Sequence, residues 1–192
     1  MLSTTDAIVL CLQPQSDKAH VLHTYTRAGG RVNYKVYGLG RKNTAGKYTP
    51  LSILQLTTDE RSVRTAHLLF VPQTLVTDPY KRTIALFISE ILHNVLRHPM
   101  VDEPMFDFLV QSIKELDSLP LTDEEFSLAN FHLQFLIDFA AKLGFAMESE
   151  PSLPHTREER QKQLRSLCSY FEEHVETWQT PHSLDVLMEV FD

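Results

Sequence analysis

Apolar and polar residues alternate with a period near two over the first seventy residues, then switch to the 3.6-residue period of helices. The first regime predicts strands over Asp6–Gln13, Lys18–Thr26, Arg31–Gly38, Leu51–Thr58 and Val63–Val71. Turn signals separate them: Pro14 to Asp17, Gly29-Gly30, the Gly38–Pro50 loop and Asp59-Glu60. Five short strands in so little chain fit a small barrel. The five-stranded OB-fold is the common solution of that size, and an SH3-like barrel fits the periodicity almost as well.

After Pro72 the pattern is helical. Ile84, Phe87, Ile88, Ile91, Leu92 and Val95 share one face of a run that follows Asp78-Pro79 and stops before Pro99. Pro104 suits a first helical position, and Met105, Phe106, Leu109, Ile113 and Leu116 form the next stripe. Thr122–Glu125 and Thr156–Glu159 have capping-box spacing, in which Thr and Glu satisfy free helix-start amides reciprocally. The first box opens a helix bearing Phe126, Phe131, Phe135, Phe139 and Leu143, with a stop at Gly144. The second opens one bearing Leu164, Leu167, Phe171 and Val175. A short last helix from Ser183 carries Leu184, Leu187 and Val190. The expected fold is α+β: a five-stranded barrel over residues 1–75, then an α-helical domain over 76–192.

Charge divides along the same line. Residues 1–80 hold nine Lys/Arg against five Asp/Glu (+4), and residues 81–192 hold nine against twenty (−11), giving the net −7 of the chain. A basic first part joined to an acidic second part suggests two jobs. No apolar stretch approaches the ~20 residues a bilayer needs. The N-terminus carries Asp6 and no basic run, so no signal peptide is expected. A soluble, cytoplasmic protein is the expectation. Cys11 and Cys168 lie far apart and suggest neither a disulfide nor a metal framework, so each reads as a small buried apolar residue.

The segment from Asp17 to Leu56 carries seven Lys/Arg against one acid. Alternation on Arg31–Tyr37 puts Arg31, Asn33, Lys35 and Tyr37 on one face and Val32, Tyr34 and Val36 on the other, which is the natural core face. Arg27 lies just across the turn, and Arg41, Lys42, Lys47 and Tyr48 follow in the loop. Cations interleaved with rings suit single-stranded nucleic acid, with charge for phosphates and flat faces for bases. A solvated strand face with a charged loop would look similar. The candidate DNA-binding residues are therefore Arg27, Arg31, Lys35, Tyr37, Arg41, Lys42, Lys47 and Tyr48, with Tyr37 and Tyr48 stacking on bases. Nine histidines invite a metal, but Glu90-x-x-His93 has no second copy, His20 and His23 fall on opposite strand faces, and no His-Glu-x-x-His occurs. No metal or cofactor is expected. No nucleophile elbow or phosphate loop is present, so no enzyme activity is expected.

The ordered elements Ala7 to Leu10, Ser16 to Thr26, Gly30-Arg31-Val32, Gly38-x-Gly40-Arg41-Lys42 and Thr49-Pro50-Leu51 resemble the RecO family of bacterial DNA repair proteins, in its Bacteroides-like branch. Ile84 to Asn94, Met105 to Phe108, Asn130 to Leu136, Leu143 to Phe145 and Ser183 to Phe191 are similar too. The resemblance implies an N-terminal OB-fold and a recombination mediator without turnover. Such a protein binds single- and double-stranded DNA and anneals strands. It works with RecR, engages the tail of single-stranded-DNA-binding protein, and assists RecA loading. Two departures stand out. Many members carry a four-cysteine zinc site in the C-terminal half, where this chain has only Cys168. The join from Phe145 to the Thr156 helix is also shorter than in the family. The alternatives are an OB-fold protein-interaction adaptor with no direct DNA binding and a nucleic-acid hydrolase.

Overall fold

The computed structural model describes residues 1–39, 45–120, 127–147 and 152–190. Five strands, β1 (Leu2–Ser16), β2 (Ala19–Thr26), β3 (Gly30–Tyr37), β4 (Ile53–Asp59) and β5 (Ser62–Phe70), close in the order β1-β2-β3-β5-β4, with β4 pairing back onto β1. This is an OB-like barrel. It is antiparallel except at its seam, where β3 meets β5 through the parallel pair Lys35–Ser62 and the Lys35 amide donates to the Arg61 carbonyl at 2.7 Å.

The strand starting at Leu2 is longer than the Asp6–Gln13 expected. Leu2–Thr5 are too polar to read as a strand, but their backbone pairs with Leu56–Asp59 of β4. The run Ala7-Ile8-Val9-Leu10 lacks alternation because both of its faces are covered. Ala7 and Val9 point into the barrel with Leu22, Tyr34, Val36, Leu54 and Leu56. Ile8 and Leu10 face outward, with Tyr25 and Ile53, into the helical core. A bulge between Val9 and Cys11 breaks the ladder to β2. The Ser89 hydroxyl donates to the Leu10 carbonyl there.

Among the described residues six helices follow: α1 (Gln73–Thr77), α2 (Pro79–Val95), α3 (Glu103–Ser118), α4 (Ser127–Lys142), α5 (Arg157–His174) and α6 (Leu184–Val190). The change from strand to helix falls between Phe70 and Gln73, and the boundary expected at residue 75 lies within α1. Asp78 caps α2 through the Lys81 amide at 2.9 Å, with Pro79 opening the helix. Asp102 caps α3 through the Met105 amide at 2.8 Å. The capping box expected at Thr156–Glu159 is present, with Glu159 N donating to Thr156 Oγ1 at 3.2 Å and Thr156 N to Glu159 Oε2 at 3.0 Å. The one expected at Thr122–Glu125, with Phe126, lies outside the described residues.

The phenylalanine stripe is core. Phe135 stacks on Phe139 and Phe139 on Phe171, at 5.6 and 6.0 Å between ring centroids. Each fully buried ring contributes roughly 1.5–3 kcal/mol. The short helix α1 was not expected, because its cap comes from far away. The Asp117 carboxylate accepts from the amides of Gln73, Thr74 and Leu75. Beside it the buried Lys81 ammonium donates to Thr74 Oγ1 and the Asp117 carbonyl.

Candidate nucleic-acid interface

Strand β3 presents the two faces that alternation predicts. Tyr34 and Val36 are buried in the barrel, while Asn33, Lys35 and Tyr37 are exposed. Tyr37 is 58% exposed, so its ring has a free face. The seam adds a cation that sequence reading missed: Arg61 sits in the β4–β5 turn, exposed, with its carbonyl on the Lys35 amide. Nothing in the local sequence signals this, since the two residues meet only when the barrel closes. Lys18 precedes Ala19, the register partner of Tyr37, and is exposed as well. Lys18, Lys35, Tyr37 and Arg61 thus lie along one rim.

The other expected residues stand differently. Tyr48, in a 3-10 turn (Ala45–Tyr48), is 5% exposed and packs inside the barrel with Leu54 and Leu56. Its ring is a plug for the barrel and has no face for a base, which corrects the stacking role expected of it. Lys47 reaches along the turn to the Ala66 carbonyl at 3.4 Å, with its ammonium 5.5 Å from the Tyr48 ring. Arg27 forms an ion pair with Asp107 of α3 and lies 4.5 Å over the Phe106 ring. Arg41 and Lys42 lie outside the described residues.

Arg31 points outward as expected, but α2 covers that part of the barrel. One guanidinium NH₂ donates to His23 Nδ1 and to His93 Nδ1, each at 3.0 Å. The Nε donates to Asn33 Oδ1 at 3.2 Å, and the other NH₂ to the His93 carbonyl at 3.3 Å. Arg31 therefore ties the barrel to the end of α2. Cys11 Sγ stands 3.4 Å from the same His93 Nδ1. Sequence spacing offers no complete ligand set, but the fold brings Cys11, His23 and His93 together, with donor atoms all within 4.8 Å of one another. Cys11 is half-buried and polar-partnered instead of a packed apolar group.

Burial, then the Arg31 charge, His23 and Arg97, push the His93 pKa down to about 4. Burial and Arg31 lower that of His23 as well. Both rings are thus neutral at pH 7 and available as acceptors. Burial raises the Cys11 thiol, with Arg31 opposing.

No helix among the described residues is long and apolar enough to cross a membrane. No family model matches the chain. Curated relatives do. A DNA repair protein RecO of Phocaeicola vulgatus is 34% identical over 159 residues, covering 78% of this chain and 64% of the relative. One of Porphyromonas gingivalis is 30% identical over 157 residues, covering 75% and 61%. One of Flavobacterium johnsoniae is 27% identical over 242 positions, covering 97% of this chain and 98% of the relative. The chain spans less than two thirds of the length of the first two. The third alignment has more positions than this chain has residues, so that relative carries stretches with no counterpart here. With an OB-like barrel leading into a helical half, and matches over most of its length, the chain is related to the RecO family of DNA repair proteins.

Proposed function

We propose that the chain is a recombination mediator, a DNA-binding protein without catalytic turnover. In this reading it captures single-stranded DNA on the barrel, anneals complementary strands, and assists RecA loading together with RecR. Double-stranded DNA and the tail of single-stranded-DNA-binding protein are its further partners. The observation that carries the reading is the rim of Lys18, Lys35 and Arg61 around the exposed Tyr37, on an OB-like barrel in a relative of DNA repair proteins. Cations neutralise phosphates, and an exposed ring accepts a stacked base at about 1–3 kcal/mol. Arg41, Lys42 and Lys47 follow β3 in the sequence and add three further cations. Arg27 and Arg31 act as fasteners between barrel and helices, since their guanidinium groups are already engaged.

That engagement favours a second reading, an interaction adaptor whose barrel binds protein. Annealing of labelled complementary oligonucleotides separates the two. The mediator accelerates annealing, and Lys35→Glu with Arg61→Glu removes the acceleration while the fold persists. An adaptor leaves the annealing rate at its spontaneous value with or without the substitutions.

A further inference from the structure

We propose that Cys11, His23 and His93 form a binding site for a single thiophilic transition-metal ion of the Zn²⁺ class, which clamps the barrel to helix α2. The three residues come from three elements. Cys11 and His23 are register partners on β1 and β2, and the adjacent bulge sets Cys11 on the outer face beside Leu10. His93 lies near the end of α2. Their donor atoms already lie within 4.8 Å of one another, with Sγ and His93 Nδ1 at 3.4 Å. Tetrahedral zinc, with bonds of about 2.3 Å to sulfur and 2.0–2.1 Å to nitrogen, wants its ligand atoms about 3.3–3.6 Å apart. A small inward movement closes the difference.

The second observation is what fills the centre. The same Arg31 NH₂ lies 3.0 Å from both Nδ1 atoms, so two imidazole lone pairs converge on one point that already holds a cation. The tautomer of His23 is set from behind: its Nε2 lies 3.1 Å from Gln13 Oε1 and donates to it, which leaves Nδ1 bare. Ligating histidines are commonly oriented by such a contact on the second ring nitrogen. A cleft of about 600 Å³, lined by Cys11, Gln13, Glu90, His93 and Asn94, opens onto the cluster and gives a route for the ion. A water from that cleft completes a fourth position.

On binding, the Cys11 thiol gives its proton to solvent as the sulfur–metal bond forms. The Arg31 guanidinium leaves the centre and keeps its contact with Asn33 Oδ1, 3.2 Å from Nε. Arg31 is thus the ion's competitor. A thiolate with two imidazoles selects zinc-like ions over magnesium or calcium, which prefer all-oxygen sites. The site is separate from the C-terminal half and uses none of its residues beyond α2.

The test is titration of the reduced full chain with Co²⁺, followed by displacement with Zn²⁺. One equivalent is expected to give a thiolate-to-cobalt charge-transfer band, unaffected by excess Mg²⁺. Cys11→Ser removes the band and Cys168→Ser keeps it. His93→Gln weakens binding at least tenfold, and Arg31→Gln tightens it at least tenfold. In the unsubstituted chain, Zn²⁺ protects Cys11 from alkylation, read by mass spectrometry, so the result does not depend on any variant folding. Absence of the band in the unsubstituted chain, its survival in Cys11→Ser, unprotected Cys11, or an Arg31→Gln affinity no higher than the original overturns the proposal.

Discussion

Replacing Gly30 with Ala should loosen the attachment of the barrel to the helical half. Gly30 opens β3 with φ +61°, a conformation that costs an L-residue about 1–2 kcal/mol. The added Cβ would also stand 2.2 Å from the Met100 carbonyl oxygen and 2.8 Å from its nitrogen, in the segment joining α2 to α3. Backbone cannot rotate away as a side chain can, so one segment must withdraw by roughly an ångström to regain van der Waals separation. That movement weakens the Arg31 amide bond to the His98 carbonyl at 3.3 Å, worth about 0.5–1.5 kcal/mol. Conformation, contact and hydrogen bond together predict a loss of about 3 kcal/mol. In urea, with a slope of about 2 kcal/mol per molar, the unfolding midpoint falls by about 1.5 M. Fluorescence of Trp178 in the helical half reports the transition alongside circular dichroism. Gly29→Ala is the control. Its φ is not positive, and its Cβ meets only the Thr26 hydroxyl and a Val32 methyl, at 3.3 Å, so the loss stays under about 1 kcal/mol. Equal midpoints for the two variants would refute the close approach as the reason for glycine at position 30.

Asp117→Ala removes the cap of α1 and the carboxylate beside the buried Lys81, and should cost about 2–3 kcal/mol in urea unfolding. A loss below 0.5 kcal/mol, on the same scale, would mean that α1 needs no cap. Acidification should destabilise the fold through His93 and His132, whose pKa values burial lowers to about 4 and about 3. The unfolded chain takes up protons near pH 6.5 that the folded chain refuses, so stability is full above that pH. It falls as the pH drops through 6.5 toward 4, by up to about 1.4 kcal/mol per pH unit for each ring. His93→Gln should flatten that dependence in denaturation curves taken across the window, and an unchanged slope would contradict the assignment. Glu90→Gln should lower stability by about 1 kcal/mol, because the Glu90 carboxylate accepts from the amides of His182 and Ser183 and from the Ser183 hydroxyl. Faster amide exchange at His182 and Ser183 is the local readout, and unchanged exchange there would count against the anchor.

The parts of the fold that could be read from sequence are those where a face meets one environment. Alternation in β3 separates Tyr34 and Val36 from Lys35 and Tyr37 because one face is barrel interior and the other solvent. The 3.6-residue stripe of α3 follows from a single buried side. The hidden parts are those set by a distant partner. Helix α1 depends on Asp117, and the start of β1 depends on β4 backbone. Arg31 lies on the face that alternation gives it, but alternation does not say that α2 covers that face. Tyr48 reads as a loop ring because its burial comes from the barrel end it fills. Arg61 and Lys35 are neighbours only through the seam. The Cys11, His23 and His93 cluster has no sequence spacing at all, since three elements and one bulge bring it together.

The central claim, that the barrel rim binds DNA, is tested most directly by titrating a fluorescent single-stranded oligonucleotide across salt concentration. The rim predicts a log–log slope of about −2 to −3, from three to four phosphates at roughly −0.7 each. Lys35→Glu with Arg61→Glu removes two of those contacts and should make the slope shallower by about 1.4. No binding at low salt, or a slope that the double substitution leaves unchanged, would contradict it.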